Sequence, residues 1–306
     1  MIVVLCPGQG SQTPGFLSPW LTETVFRDQL EGMSDAIGVD LVAHGTVSDA
    51  DTIRDTAVAQ PLIVAAGLLA SSVLLADGRR ERVSGAAGHS VGEVTAAAVS
   101  GVLSLTDAMT LVHTRGTAMA DAAAVTSTGM SAVVGADEGE LLAALDRHGL
   151  HPANFNGGGQ IVVAGATDAL EALRSEPPTG ARVIPLQVAG AFHTDYMLPA
   201  VDRLAAVAST LDAHDPIMTL WSNSDGSAVS SGARFVDLLV GQVSSPVRWD
   251  RTMESLSAAG VTGLIELAPA GALTGLAKRG LRGVPAVAVK TPDDLPAAFD
   301  LIDRNS

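Results

Sequence analysis

Ser90 stands in Gly88-His89-Ser90-Val91-Gly92, a Gly-x-Ser-x-Gly pentapeptide that occurs once in the chain. It lies between a strand-like run, Val83 to Gly88, and a small-residue stretch from Val91 to Ala98 that is compatible with a helix and stops at Gly101. Strand, tight turn and helix form a nucleophile elbow: the turn pushes the serine hydroxyl outward, and the flanking glycines let neighbouring chain approach closely. The helix behind the serine has a free N–H at Val91, aimed where the oxyanion of an acyl-transfer intermediate would form.

A serine hydroxyl needs a base, and histidine is the usual one near neutral pH. Seven histidines are available. His89 adjoins the serine, but at a sharp elbow its ring should point away. His44, His148, His151 and His214 sit among polar or turn residues, and His113 lies on a predicted helix. His193 stands in the small-residue loop Val188-Ala189-Gly190-Ala191-Phe192-His193, just before a predicted helix, although spacing alone does not select it. The glycine-rich Pro7-Gly8-Gln9-Gly10-Ser11-Gln12 lacks the third glycine of a dinucleotide loop. It also has Phe16 where a P-loop needs lysine. It fits better as a turn after the first strand, offering backbone N–H groups to an oxyanion from the side opposite the elbow.

These residues need a layered scaffold. Apolar runs at Ile2 to Cys6, Val83 to Gly88, Ile217 to Trp221, Val261 to Leu267 and Val284 to Val289 read as strands. Helical spacing runs from Leu105 to about Ala124, Met197 to Leu211, Phe235 to Gln242 and Arg251 to Ala259. Together they predict an α/β domain. Between them, Met130–Val134, Glu138–Arg147, Ala153–Asn156, Ile161–Ala164, Asp168–Arg174 and Arg182–Leu186 read as βαββαβ, the order of a ferredoxin-like unit. The expected organisation is a catalytic domain of residues 1–125 and 190–306 with a small ferredoxin-like domain, 126–189, inserted in it.

Composition limits the partners. A chain of 306 residues, 47% hydrophobic, can bury a large core. A net charge of −15 with only two lysines, Lys278 and Lys290, argues against a general grip on nucleic acid or anionic membrane. The lone Cys6 rules out an internal disulfide, and the start Met1 to Cys6 lacks the basic flank and length of a signal peptide. The apolar stretch Val58 to Ala76 contains Gln60-Pro61 and Ser71-Ser72, so a buried helix is expected there and not a membrane span of about 20 uninterrupted apolar residues. A cytoplasmic monomer is the resulting expectation.

Several motifs in series now point one way. They are Pro7-Gly8-Gln9-Gly10-Ser11-Gln12, Gly88-His89-Ser90-Val91-Gly92-Glu93, Thr114-Arg115-Gly116, Asn154-Phe155-Asn156, Gly190-Ala191-Phe192-His193, Gln242-Val243-x-x-Pro246-Val247-x-Trp249 and Glu266 to Leu276. In that order they resemble the malonyl-coenzyme A:acyl carrier protein transacylases across essentially the whole chain. The resemblance implies an α/β-hydrolase-like large domain, Ser90 as nucleophile, His193 as base, and an oxyanion hole from the N–H groups of Gln9 and Val91. It implies that Arg115 reads the malonyl carboxylate and that a backbone carbonyl of Gln242 holds the histidine, where a hydrolase triad would want an acid. Phe192, Gln242 and Asn156 join Arg115 around the substrate, with Phe192 and Val91 matching residues that accompany malonyl over methylmalonyl selection. Two departures are Cys6 in place of an aromatic residue and Ala268-Pro269-Ala270-Gly271 in place of Gly-Pro-Gly.

The implied reaction moves malonyl from malonyl-CoA to the phosphopantetheine thiol of acyl carrier protein through a malonyl-serine, in fatty acid biosynthesis, with no metal or cofactor. The alternatives are a malonyl-transferring subunit of a malonate decarboxylase, a polyketide loading enzyme, a serine hydrolase and a catalytically silent docking module. Taken without the resemblance, Arg115 reads as a surface residue or as the partner of an acid such as Asp121. Docking of an acidic carrier is expected at Lys278, Arg279 and Arg282 on one predicted helix, with Lys278 and Arg282 sharing a face.

Overall fold

Short apolar runs without polar alternation suit strands covered on both faces, and the first of them, Ile2 to Cys6, is buried at every position. The structure, a computed structural model, describes residues 1–188 and 190–304; Ala189, the expected end of the inserted domain, and residues 305–306 lie outside them. Its strands are β1 (Ile2–Cys6), β2 (Gly85–Gly88), β3 (Thr128–Val134), β4 (His151–Gly157), β5 (Gln160–Ala166), β6 (Arg182–Pro185), β7 (Thr219–Trp221), β8 (Gly263–Glu266) and β9 (Ala286–Ala288). Its α-helices are α1 (Thr24–Ile37), α2 (Leu41–Thr46), α3 (Thr56–Leu74), α4 (Gly92–Val99), α5 (Leu105–Ala123) and α6 (Glu138–His148) in the first half. They continue as α7 (Thr167–Ser175), α8 (Leu198–Ala208), α9 (Gly232–Gln242), α10 (Trp249–Ala258), α11 (Ala272–Gly280) and α12 (Leu295–Arg304).

Five strands form one sheet in the order β7-β2-β1-β8-β9, with every pair parallel. Central β1 pairs with β2 so that Cys6 lies opposite Gly88. The chains leaving these two strands, Pro7 to Gly10 and His89 to Gly92, therefore emerge side by side. Ligand sites of open parallel sheets form at such neighbouring strand ends.

The other four strands form an antiparallel sheet in the order β4-β5-β3-β6, which with α6 and α7 is the expected ferredoxin-like arrangement. Period-two alternation divides its residues between two jobs. Val133, Ile161 and Val163 pack with Leu141, Leu145 and Leu173 of the two helices. Met130, Ala132 and Val162 face the other way and join the main core. Strand β4 is tied to the larger part of the chain by Phe155 N–H donating to Val247 O at 2.8 Å and Val247 N–H to Ala153 O at 2.9 Å.

Helix α3 is long and apolar enough to cross a membrane by length and composition alone, yet most of it is buried inside the protein, where it packs against α4 and α5. A helix apolar all round is what such a central position requires. One expectation needs correction. Helix α11 ends at Gly280, so Arg282 lies in the following turn and does not share a helical face with Lys278. Leu281, buried just past the helix, turns the chain inward there.

Close packing of α4 on β1 depends on Gly92, whose missing side chain leaves room for the carbonyl of Cys6. A Cβ there would overlap backbone that cannot rotate away. Gly92→Ala is expected to destabilise the fold by about 3 kcal/mol or more. Urea unfolding followed by circular dichroism checks this; stability equal to that of the parent would mean that β1 and α4 do not approach as described.

Candidate active site

Ser90 has φ of 54°, a left-handed conformation unusual for a residue with a side chain. The elbow imposes it: β2 must reverse into α4 within a few residues. Ser90 Oγ lies 2.8 Å from His193 Nε2, and His193 Nδ1 lies 2.9 Å from the backbone oxygen of Gln242. A carbonyl can only accept, so Nδ1 carries the proton and Nε2 turns its lone pair toward the serine. Burial, reinforced by the positive charge of Arg115, pushes the His193 pKa down to about 3. The ring is therefore neutral, and able to take a proton, throughout the ordinary pH range.

Arg115 comes from α5 and is only 2% exposed. Its Nη1 donates to Gln60 Oε1 at 2.7 Å, and its Nη2 donates to Gln242 Oε1 at 3.0 Å and reaches Ser90 Oγ at 3.4 Å. Among the described residues no carboxylate forms an ion pair with it; Asp121 instead pairs with Arg203. Burial lowers the Arg115 pKa to about 10, which leaves it charged at neutral pH. Glu93, the acid whose field reaches it, is itself pushed up by burial to about 8. The hydrogen-bond partners of this buried cation are thus neutral amides and a hydroxyl, which leaves part of the cost of burying the charge unmet.

The other expected residues surround the same space. The backbone N–H groups of Gln9 and Val91 donate to no acceptor among the described residues, and both residues line the cavity that also contains Ser90 and His193. This cavity is about 430 Å³, with Met119, Met130, Ala132, Val162 and Phe192 among its apolar walls. Asn156 lines it too, but its amide is already engaged: Oδ1 meets His89 Nε2 at 2.9 Å and Nδ2 donates to Gln160 Oε1 at 3.0 Å. His89 stacks edge-on with Trp249, so its ring turns away from the serine hydroxyl as expected of an elbow. Gln242 serves twice, holding His193 through its backbone and Arg115 through its side chain. No group of three or more His, Cys, Asp or Glu side chains among the described residues is placed to hold a metal ion.

Three contributors escaped the sequence reading: Gln60, Glu93 and Asn223. Each carried a signal. Gln60 is an amide inside an otherwise apolar helix, Glu93 is an acid in an alanine-rich one, and Asn223 follows the end of a buried strand. Nothing in their spacing says that they meet.

Fold and site together fit an acyl-transfer protein in which a serine is hydrogen-bonded to a histidine, with the Gln242 carbonyl where a hydrolase would place its third, acidic member. Comparison with known proteins agrees. The acyl transferase domain matches residues 3–292. The malonyl CoA-acyl carrier protein transacylase of Mycobacterium tuberculosis is 52% identical over 305 residues, covering 98% of this chain and 100% of that protein. Its namesake in Escherichia coli K12 is 32% identical, covering 96% and 97%. The crystal structure of MCAT from Mycobacterium tuberculosis superposes with a TM-score of 0.94 at 51% identity, covering 97% of this chain and 99% of that one. A type II PKS acyl-carrier protein in complex with its malonyl-transacylase, PlMCAT:AntF, gives a TM-score of 0.91 at 31% identity, covering 98% and 99%. The chain belongs to the acyl transferase family, in its branch of malonyl CoA-acyl carrier protein transacylases.

Glu93 supplies a test of the buried electrostatics. Its carboxyl is raised in the folded protein from the ordinary 4.5 to about 8, chiefly by burial. The folded state therefore keeps a proton that the unfolded chain has already released, and this contribution to stability is lost as pH rises between those values. Glu93→Gln, with no proton to lose, should gain in stability relative to the parent as pH is raised from about 5 to about 8. Parallel urea titrations across that range measure the difference; a pH-independent difference would place an ionised carboxylate in the fold.

Proposed function

We propose that malonyl passes from coenzyme A to the phosphopantetheine thiol of acyl carrier protein by way of an ester on Ser90. The observation that carries this reading is the buried Arg115 guanidinium, without a carboxylate partner among the described residues, 3.4 Å from a serine hydroxyl that is itself hydrogen-bonded to a neutral histidine. An acyl group that ends in a carboxylate supplies the missing anion, and the planar guanidinium can grip it with two parallel hydrogen bonds. The chain is a malonyltransferase acting between malonyl-CoA and acyl carrier protein, as its relatives' names describe.

In the first half-reaction His193 Nε2 takes the Ser90 proton while Oγ bonds to the thioester carbonyl carbon. The carbonyl oxygen becomes negative between the N–H groups of Gln9 and Val91. Collapse breaks the carbon–sulfur bond, and the proton on Nε2 goes to the departing sulfur of coenzyme A. The second half-reaction mirrors the first: the carrier thiol gives its proton to Nε2, its sulfur bonds to the malonyl carbonyl carbon, and Ser90 Oγ leaves with that proton. Gln242 needs only a carbonyl to orient the ring, because each imidazolium is brief. The chemistry calls for no cofactor beyond the coenzyme A thioester, which is a substrate.

This reading places the reaction in the cytoplasm, in fatty acid biosynthesis, and takes the protein as a monomer with a small domain, 126–189, inserted into 1–125 and 190–306. The net charge of −15 and the burial of α3 inside the fold support it. Phe192, 6% exposed and part of the cavity wall, is the ring proposed to crowd a methyl branch on the malonyl carbon.

Malonyl-CoA alone should leave one malonyl group on Ser90, found by intact mass and peptide mapping, and Ser90→Ala should abolish it. Adduct on Cys6 or Ser11, or none, would overturn the covalent step. Because the base stays neutral, the acylation rate should show no fall as pH drops from about 8 to about 5; a limb near the ordinary histidine pKa would contradict the buried ring.

Arg115→Ala should lose malonyl transfer while keeping or gaining acetyl transfer. Two charge-assisted hydrogen bonds, at about 1.5–3 kcal/mol each, set a preference change of at least about a hundredfold. Arg115→Lys should recover part of it. An unchanged malonyl-to-acetyl ratio in Arg115→Ala would reduce this residue to structure alone.

A further inference from the structure

We propose that Asn223 is the positioning residue that locks the Ser90 elbow, holding the hydroxyl and the Val91 N–H in register for acyl transfer. The proposal rests on the reading of Ser90 as nucleophile. A residue with a side chain stays in the left-handed region only where its surroundings over-determine it. Here one amide does so from both sides: Asn223 Oδ1 accepts the Ser90 backbone N–H at 2.7 Å, and Nδ2 donates to the Gly88 carbonyl at 2.6 Å. A single planar group thus clamps the residues on either side of His89.

The clamp is anchored in turn. Asn223 is fully buried, just past the end of β7. Its own N–H donates to Glu93 Oε1 on α4 at 2.8 Å, and its carbonyl accepts the Arg248 N–H at 2.8 Å. Gln242 Nε2 approaches Asn223 Oδ1 at 3.4 Å, which joins the elbow to the residue holding both His193 and Arg115. Strand β7 neighbours β2 in the sheet, so the element next to the nucleophile strand supplies its brace. Since the Val91 N–H belongs to the peptide directly after Ser90, any turn of the serine backbone moves the hydroxyl and this donor together.

The clamp needs an acceptor on one arm and a donor on the other. An ionised aspartate offers two acceptors and would set an oxygen against the Gly88 carbonyl; a protonated aspartate restores the donor in the same shape. Burial at this position favours the protonated form. The titratable and charged groups facing it are Glu93 on α4, Arg115 and His193 through Gln242, and Arg248 through its backbone. All are present in the parent protein, whose own pH profile is the reference.

The experiment measures the single-turnover rate of malonyl-Ser90 formation by rapid quench at saturating malonyl-CoA. Asn223→Ala should acylate about tenfold to a hundredfold more slowly, with the half-saturating malonyl-CoA concentration within about twofold and the malonyl-to-acetyl preference kept. Because the alanine variant leaves a buried N–H without a partner and risks unfolding, Asn223→Asp carries the decisive readout. Its rate relative to the parent should be near the alanine level at about pH 8.5 and climb at least about fivefold toward the parent by about pH 5.5. A folded Asn223→Ala that acylates at the parental rate, or an aspartate-to-parent ratio that is flat with pH, overturns the assignment. A parent that forms no malonyl-Ser90 would instead sink the nucleophile reading on which it rests.

Discussion

A guanidinium sealed inside the protein, with no ion-pair partner among the described residues, governs the site. An unpaired buried charge costs several kcal/mol, and the protein meets that cost only in part, with two neutral amides, Gln60 and Gln242. The surroundings answer to it. His193 is held neutral partly by the field of Arg115, and the nearby Glu93 is kept protonated by burial near neutral pH. The unmet charge is thus what the proposed reading of a terminal acyl carboxylate rests on.

Helices hold this cation, but the frame for the serine beside it is built from strand ends. Adjacent strands β1 and β2 finish level, so their following turns face each other and present two uncommitted N–H groups from opposite sides. The antiparallel sheet closes the space, with one set of alternate side chains packed on its own helices and the other set walling the cavity. A single residue slip in β3 or β5 would exchange the two sets. The helix pair α6 and α7 therefore supports the site without touching it, by fixing which face of the sheet looks inward.

Four described non-glycine residues have positive φ, Asp77, Ser90, His193 and Ala270, and two of them are the hydrogen-bonded pair of the site. Ser90 and His193 both have positive φ, 54° and 62°, and both occur where the chain turns sharply between elements. His193 is kept there by its N–H to Val243 O at 3.1 Å and by its ring bond to the preceding residue, Gln242, so that one short segment at the end of α9 sets both backbone and side chain. Local bonds of this kind orient the ring with a neutral carbonyl in the place of an acid.

Much of this was already present in the order of residues. Apolar runs without alternation marked the buried parallel strands, and the glycines around Ser90 marked an elbow, because both follow from local sterics and burial. The βαββαβ pattern in residues 126–188 was legible for the same reason: each element carries its own period and its own turn residues. Helices α1, α2 and α12 were not anticipated, and the end of α11 at Gly280, with buried Leu281 just past it, was misjudged. The choice of His193 among seven histidines, and the partners of Arg115 and Asp121, needed the fold, because they depend on which side chains α3, α5, α8, α9 and the loop after β6 bring together. Asn223, Glu93 and Gln60 had no legible role at all. Residues 60, 93, 115, 223 and 242 are far apart along the chain, and no periodicity encodes distances that only the packing of α3, α4, α5, β7 and α9 creates.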